Sequence, residues 1–371
     1  MHLNNTQRPQ GSPDPSLPTD SSASTSVEAN TANSNSELFA LDATHLAFAC
    51  LLLNIHLVDK YNKPGEIISK AQLIQRSDIW FDDGNLIVQA EDTQFRVYKG
   101  SLSRISTVFK TNIENIVTTK GMDETPVLQL SDSPNEVAHL FRAIFDRWSY
   151  PEADPLPFNV IAAFLRLGHK YKIQPFFDSA LSRLRVAFPA SLEEYIDQGT
   201  RTKHIVFSDP KNVQRGEIIV DTILLARELG LLALLPSAFW FAATHLEFLT
   251  HNHSRAISDT DRNIIMSAVK PLRVAHANYL FGWLDDETVP VADCMNPEGC
   301  RQRKVQYSLA LWKPPGLSPV LHWRPGAAQG LCKPCTAVGR KYHDEGAKRL
   351  WDELPSFFEL SPWGELLKEE E

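Results

Sequence analysis

The sequence lacks the motifs that usually identify a catalytic site. It contains no G-x-S-x-G nucleophile elbow, no G-x-x-x-x-G-K-[ST] phosphate loop, no G-x-G-x-x-G run after a strand and no H-E-x-x-H helix. Asp82 and Asp83 are adjacent acids, but neighbours in a strand point to opposite faces, so an Asp-Asp-Gly turn explains them better than an acid/base pair. We therefore expect a chain that is not an enzyme.

Positive charge is also scarce. The 371 residues include 37 Lys and Arg against 45 Asp and Glu, which gives a net charge of −8 and a pI of about 5.9. This balance argues against a surface built mainly to hold nucleic acid. Arg301, Arg303 and Lys304 do cluster, and we interpret them as solvated residues of a polar loop rather than as a track for phosphates.

Long apolar runs are missing as well. Residues 45–58 are strongly apolar but cover only 14 positions and include Asn54 and two histidines. A helix that spans a membrane needs about 20 apolar residues, so we predict a helix that docks on the core or on a partner subunit, with Cys50 as a small buried hydrophobe. Residues 1–36 are rich in Ser, Thr, Asn and Pro, which predicts a disordered tail without a secretory signal. We expect the protein in the cytoplasm, the nucleus or both.

Strand patterns begin at residue 77. Asp83-Gly84 lies between the β-rich runs 79–81 and 86–89, which predicts a hairpin with a tight turn. Residues 94–98 then alternate polar and apolar side chains, the period of a half-buried strand. We predict that this strand pairs with residues 86–89 across Glu91-Asp92.

Four helical patterns follow the strands. The first predicts one helix that begins near Ser101, and the second comes after a short strand at 126–130. Ser133, Pro134 and Glu136 have capping-box spacing at the start of this second helix. Because each apolar stripe covers about a third of its helix, the helices must pack together into one domain. The four stripes are Leu102, Ile105, Phe109 and Ile113; Val137, Leu140, Phe141, Ile144, Phe145 and Trp148; Ile161, Leu165 and Gly168; and Ile173, Phe176, Phe177, Ala180, Leu181 and Leu184.

A set of short segments in this region is similar to a known family pattern. The segments are Asp78-Ile79, 95–99, Leu102, Ser106, Phe109, 128–130, 140–145 and 165–171. Together they resemble the BTB/POZ family, and in particular the large set of BTB-domain proteins of mushroom-forming fungi. Many family members carry His before a basic residue where this chain has Tyr98-Lys99. The similarity covers about a third of the chain well, and a weaker similarity continues to the C-terminus.

The resemblance implies an α+β fold and an interaction function. The expected fold is a BTB/POZ core, a short mixed sheet with a helical cluster, followed by a mainly α-helical C-terminal region. The expected function is protein–protein interaction through homo- or hetero-oligomerisation. Five residues are candidates for a dimer interface, although we expect most of them in the core. They are Phe95, Tyr98, Leu102, Ile105 and Phe109.

Two other functions remain open at this point. In some family members the fold recruits substrates to a cullin-type ubiquitin ligase, which would need a cullin-facing surface at 102–113 and the following loop, supported by 216–248. A zinc-containing transcriptional regulator is the third alternative. The acidic balance and the lack of a Cys/His finger argue against that third function.

The region behind the core has three further helix signals. Ser191 and Glu194 have capping-box spacing for a short helix, and residues 198–215 are polar and loop-like. Residues 216–248 become apolar again, and Pro236 should split them into two packed helices that form a structural cap or, alternatively, help to hold a ligase scaffold. Three histidines lie near the end of this segment: His245, His251 and His253. His251 and His253 are two positions apart, which suits a surface loop better than a zinc pair.

Four of the five cysteines lie in the last third of the chain. Cys294 and Cys300 form C-x5-C, and Cys332 and Cys335 form C-x2-C, the spacing of a zinc knuckle. Prolines and a glycine within the two pairs predict turns. We expect either a structural zinc site with four cysteine ligands or unlinked thiols, and we do not expect a disulfide inside a cell. A helix is predicted from about 336 to 354.

The predicted organisation has five parts. They are a disordered tail (1–36), an apolar helical segment with a linker (37–70), the BTB/POZ domain (71–190), a helical extension (191–290) and a Cys-containing C-terminal region with a terminal helix (291–371).

Overall fold

The computed structural model describes residues 74–116, 125–146, 149–150, 155–197, 204–206, 213–246, 249, 256–285, 287–311, 321–323, 326 and 329–368. The predicted tail, the predicted apolar helix with Cys50, and the positions of Trp148, His251 and His253 lie outside these residues. All the described residues belong to one unit, Gln72–Glu371.

A four-stranded mixed sheet begins the described region. In sheet order the strands are β1 (Gln75–Trp80), β3 (Thr93–Val97), β2 (Leu86–Ala90) and β4 (Val127–Leu130). β2 and β3 form an antiparallel hairpin across Glu91-Asp92, with Ala90 opposite Thr93, as the alternating pattern predicts. β1 lies parallel to β3, and β4 lies parallel to β2.

The predicted hairpin across Asp83-Gly84 is wrong, although the turn exists. The amide of Gly84 donates to the carbonyl oxygen of Phe81 at 2.9 Å, so a tight turn forms over Asp82 and Asp83. The turn does not lead to pairing of β1 with β2, because β2 pairs with β3 along its whole length and leaves the other edge of β3 to β1. A turn sequence indicates where the chain reverses, but it does not determine which strand β1 pairs with.

The first predicted helix is in fact two helices, α1 (Lys99–Ile105) and α2 (Thr107–Glu114). Ser106 separates them with an extended backbone, φ −140° and ψ 122°. Its Oγ accepts the amide of Phe109 and donates to the carbonyl oxygen of Tyr171, so the hydroxyl caps α2 and ties it to a later helix. Leu102 and Phe109 are both buried, because each short helix directs its apolar residue into the same core.

The other three predicted helices of the core are present. They are α3 (Pro134–Phe145), α4 (Phe158–Lys170) and α5 (Gln174–Ala187). The predicted capping box on α3 does not form: Ser133 is the N-cap, but its side chain makes no capping bond. Glu136 instead pairs with Arg166 of α4 at 2.8 Å. Arg166 also pairs with Glu228 at 2.8 Å, so one guanidinium connects three helices.

The rest of the chain is mainly helical, as expected. The helices are α6 (Leu192–Ile196), α7 (Val213–Leu229), α8 (Leu235–Thr244), α9 (Asp259–Phe281), α10 (Pro297–Leu311), α11 (Lys333–Asp352), α12 (Leu354–Phe357) and α13 (Trp363–Leu366). Two single 3₁₀ turns, Leu232–Leu234 and Gly282–Leu284, precede α8 and follow α9. Residues 205–206, within the stretch predicted as loop, form the two-residue strand β6 (Ile205–Val206), which pairs in parallel with β5 (Leu156–Pro157) before α4.

The break within the second apolar stretch occurs at Gly230, six residues before the predicted Pro236. Gly230 has φ +71°, and the amide of Leu231 donates to the carbonyl oxygen of Ala226 at 2.9 Å, the Schellman arrangement that ends a helix. Pro236 lies in the first turn of α8, where backbone N–H groups make no hydrogen bond within the helix, so the N–H that proline lacks is not needed. The proline therefore starts a helix here instead of interrupting one.

The described side chains form two large apolar clusters. The sheet core joins β1–β4 with α1, α2, α3 and part of α4. The helical core joins α4 and α5 with α6–α9 and the end of α11. α8 lies at the centre of the helical core: Phe239 and Trp240 are fully buried, and Trp240 Nε1 donates to Tyr195 Oη at 2.9 Å. Within the described parts of the chain, no helix combines the length and apolar character that crossing a bilayer requires.

Candidate metal centre

The first pair of cysteines lies at the beginning of α10. Asn296 caps this helix, since its Oδ1 accepts the amide of Gly299 at 3.0 Å and its carbonyl accepts the amide of Cys300 at 2.9 Å. Cys300 is thereby held in the first turn. Cys294 lies just before the cap, and its amide donates to the carbonyl oxygen of Val291 at 3.0 Å.

The second pair lies at the beginning of α11. Cys332 is the N-cap residue, Pro334 occupies the first turn, and Cys335 is the third helical residue. Each pair therefore spans a helix start. The expectation that both pairs lie in turns is wrong for Cys300 and Cys335, which are helical, whereas Cys294 and Cys332 lie in irregular chain just before the helices.

The four sulfur atoms meet between these two helix starts. All of the Sγ atoms lie within 4.8 Å of one another, and those of Cys294 and Cys332 are 3.5 Å apart. A Zn–S bond is about 2.3 Å long, which separates the sulfurs of a regular tetrahedral site by about 3.8 Å. The backbone amide of Cys332 donates to Cys300 Sγ at 3.3 Å, a bond that stabilises negative charge on sulfur. The two pairs therefore come together, as the zinc alternative requires.

An apolar cluster surrounds the inner side of the centre. Cys300 and Cys335 are buried there with Trp283, Leu284 and Val289, whereas Cys294 and Cys332 are partly exposed. Trp283 is fully buried and packs against Gly339 of α11, at 3.4 Å from the position that a Cβ would occupy. The centre thus has an apolar inner side, formed around Cys300 and Cys335, and a solvent-facing side at Cys294 and Cys332.

The thiols respond differently to these surroundings. The nearby backbone amide of Cys335 lowers the pKa of the Cys332 thiol to about 6. Burial raises the pKa of Cys300 and that of Cys335. Because thiolates are the ligands of zinc, a metal ion would displace protons from the two buried thiols, and its binding weakens as the pH falls.

Sequence reasoning missed the groups that support the centre. Asn296-Pro297 is a cap followed by proline at the first helical position, a signal that could have identified the start of α10. Trp283 and Gly339 gave no local signal, because their contact joins positions that are far apart in the chain.

The three basic residues interpreted as a polar loop lie on α10. Arg301 is exposed, but Arg303 donates to the carbonyl oxygen of Gly326 and Lys304 donates to that of Val289, each at 3.1 Å. Two of the three cations therefore hold neighbouring backbone. His245 lies at the end of α8, part-buried and bonded to Thr244 Oγ1, away from the cysteines.

The five candidate interface residues divide by burial. Phe95, Leu102 and Phe109 are completely buried in the sheet core, whereas Tyr98 and Ile105 are partly exposed. Tyr98 Oη donates to Asp83 at 2.6 Å, and its ring lies 5.0 Å from that of Phe81. Only Tyr98 and Ile105 of the five could contact a second molecule without opening the core.

Comparison with known proteins does not identify a family for this chain. A scan against protein-family models and a search of the curated proteins both find no match to the chain.

Proposed function

We propose that this chain is a protein–protein interaction module that associates through a BTB/POZ core and carries a structural zinc ion in its C-terminal region. The observation that carries the first part is the order of elements from Gln75 to Ala187. A short mixed sheet is followed by a cluster of helices, the combination that the family resemblance implies. β4, which comes between the second and third helices in the chain, lies at one edge of the sheet.

Partly exposed apolar surface supports association. Four apolar residues of α1, of α2 and of the chain just after α2 pack on the sheet core but retain some exposure: Ile105, Val108, Ile113 and Ile116. Burying such side chains between two subunits is favourable, at about 25 cal/mol per Å² of apolar area removed from water. The two candidate interface residues that are not fully buried lie in the same region, since Ile105 belongs to α1 and Tyr98 is its N-cap.

We expect the purified chain to be a dimer at micromolar concentration, and we expect Ile105→Asp to weaken the dimer at least about tenfold, because a carboxylate buried in an apolar interface lacks a partner. Sedimentation equilibrium or light scattering measures this as a shift from twice the monomer mass of 41.7 kDa towards the monomer mass itself.

Ser101→Asp is the matched control, because it adds the same charge at an exposed position of the same helix. It should leave the mass unchanged. Thermal unfolding of both variants separates weaker association from a weaker fold. A wild-type chain that stays monomeric at concentrations about 100 times higher than micromolar would contradict self-association.

The zinc part of the proposal is supported by four Sγ atoms that lie within 4.8 Å of one another, by an amide that donates to one of them, and by the apolar inner side of the centre. Four thiolates around a compact tetrahedral position suit zinc, and a site without an open position suits a structural role. Elemental analysis of the purified chain should give one zinc per chain. Protein that is folded in the C-terminal region and contains no metal would contradict the assignment.

The two alternative functions have less support. Residues 216–248, which a ligase adaptor would use, include α8, a helix that is buried on nearly every side in the helical core. The basic residues of α10 are mostly engaged with backbone and do not form an open track for a DNA backbone.

A further inference from the structure

The four thiols of the centre differ in how far solvent reaches them. Cys300 and Cys335 are 1% and 0% exposed, whereas Cys294 and Cys332 are partly exposed. Each pair therefore contributes one buried thiol and one accessible thiol. A small oxidant that arrives from solvent meets one sulfur from each pair.

The two accessible sulfurs are also neighbours. Cys294 Sγ and Cys332 Sγ are 3.5 Å apart. A disulfide bond is about 2.0 Å long, so the two atoms need to approach by about 1.5 Å. Cys294 precedes the cap of α10 and Cys332 is the N-cap of α11, so neither residue lies inside a helix that would have to bend.

We propose that Cys294 and Cys332 form an oxidation site, at which a hydroperoxide joins them in a disulfide and thereby releases the zinc ion. This inference rests on the proposed zinc centre. It assigns different roles to the four cysteines: the buried pair stays reduced, and the accessible pair is oxidised.

The chemistry is a two-electron oxidation. One thiolate sulfur attacks a peroxide oxygen, the O–O bond breaks, and a sulfenic acid and a hydroxide form. The second thiolate attacks the sulfenic sulfur, the S–S bond forms, and a second hydroxide leaves. The two sulfurs supply the two electrons that reduce the peroxide, and two protons taken up from the solution convert the hydroxides to water when hydrogen peroxide is used. A zinc ion held by the four cysteines would thereby lose two of its ligands.

The alternative disulfide within the C-x2-C pair is less accessible. Cys335 is completely buried in the first turn of α11, among the apolar residues that include Trp283 and Val289. A Cys294–Cys332 bond instead connects the starts of α10 and α11, so the oxidised centre keeps the two helix starts together after the metal has left. A thiol reductant and zinc should then restore the original state.

The test treats the zinc-loaded full chain with hydrogen peroxide, follows zinc release with a chromogenic chelator, and maps disulfides by mass spectrometry of unreduced peptides. We expect release of one zinc per chain together with a Cys294–Cys332 disulfide, while Cys300 and Cys335 remain available for alkylation. A disulfide that contains Cys300 or Cys335, or zinc release through sulfinic acids without a disulfide, would overturn the proposal.

Met295→Leu is the matched control, because Met295 is 69% exposed, adjoins Cys294 and also reacts with peroxide. The variant should release zinc as the wild type does, and loss of release in it would overturn the proposal by assigning the effect to Met295. Protein that contains no zinc before treatment contradicts the zinc centre alone. In that protein, a Cys294–Cys332 bond after peroxide would still support the oxidation site, and any other pairing would contradict it.

Discussion

Cys335→Ser should reduce the zinc content from one per chain to less than about 0.1 and unfold α10, while the sheet core and most of the helical core stay folded. Structural zinc sites in small peptides contribute about 10–16 kcal/mol of apparent binding free energy, which the folded state loses with the metal. α10 depends strongly on the centre, because Cys300 is its only fully buried residue. α8, by contrast, is held by side chains that do not contact the cysteines.

Hydrogen exchange measures this regional effect directly. Amides of α10 and of the first turns of α11 should lose protection in Cys335→Ser, and amides of α4 and α8 should keep theirs. Trp283, which is fully buried beside the centre, should become hydrated, which moves its fluorescence to longer wavelength. Removing zinc from the wild type with a chelator should reproduce each of these changes.

Ala347→Ser is the matched control for this experiment. It introduces the same hydroxyl at another buried position of α11, 2% exposed, without touching a proposed ligand. The cost should be about 1–3 kcal/mol in global stability with zinc retained. Equal zinc content in Cys335→Ser and Ala347→Ser, or full protection of α10 in both, would show that the cysteine quartet does not hold a structural metal.

The spacing of the cysteines was enough to suggest a four-cysteine site as one of two alternatives, but not how the four residues are arranged. C-x2-C is a local signal, because two thiolates at that spacing can reach one ion whatever surrounds them. The burial of Cys300 and Cys335 depends on Trp283 and on the packing of α10 against the 3₁₀ turn before it, and these contacts join distant positions. The pattern therefore predicted the ligands and not the difference in exposure on which their reactivity depends.

The same division between local and distant information explains the fold. The β-rich composition of β2, the alternation in β3 and the apolar stripes of α3–α5 are properties of single segments, and they predicted the elements correctly. The position of β1 depends on a choice between two sheet edges, and the break at Ser106 depends on the carbonyl oxygen of Tyr171, which is 65 positions away. The break at Gly230 has a local signal, a glycine at the end of an apolar stripe, but the prediction placed the break at Pro236 because proline disrupts a helix interior more strongly.

Gly346→Ala should lower the stability of the chain by about 3 kcal/mol and its melting temperature by about 10 °C. Gly346 is buried where α11 crosses α9, and a Cβ at this position would lie 1.8 Å from the carbonyl oxygen of Tyr279 and 2.4 Å from its carbonyl carbon. These are backbone atoms inside a helix, so they cannot rotate away as the end of a long side chain can. The two helices would have to separate.

Separation of the helices would also disturb the polar contacts around the crossing. Tyr279 Oη donates to Glu353 at 2.9 Å, and the guanidinium of Arg349 lies over the Tyr279 ring at 4.0 Å. Both contacts join α9 to the C-terminal end of α11 or the residue after it. Thermal unfolding followed by circular dichroism measures the total loss, and the effect should exceed that of removing either polar contact alone, because the helix–helix contact buries apolar surface as well.

Gly339→Ala provides the sharpest control, because it makes the same substitution in a buried position of the same helix. Its Cβ would lie 3.4 Å from the Trp283 ring, an ordinary van der Waals contact, and both variants gain the same helix propensity of about 0.5–1 kcal/mol. The difference between the two variants therefore isolates the backbone contact at Tyr279. If Gly346→Ala melts within about 2 °C of Gly339→Ala, then α9 and α11 do not approach as closely as this arrangement requires, and the helical core needs a different account of how its C-terminal helix is held.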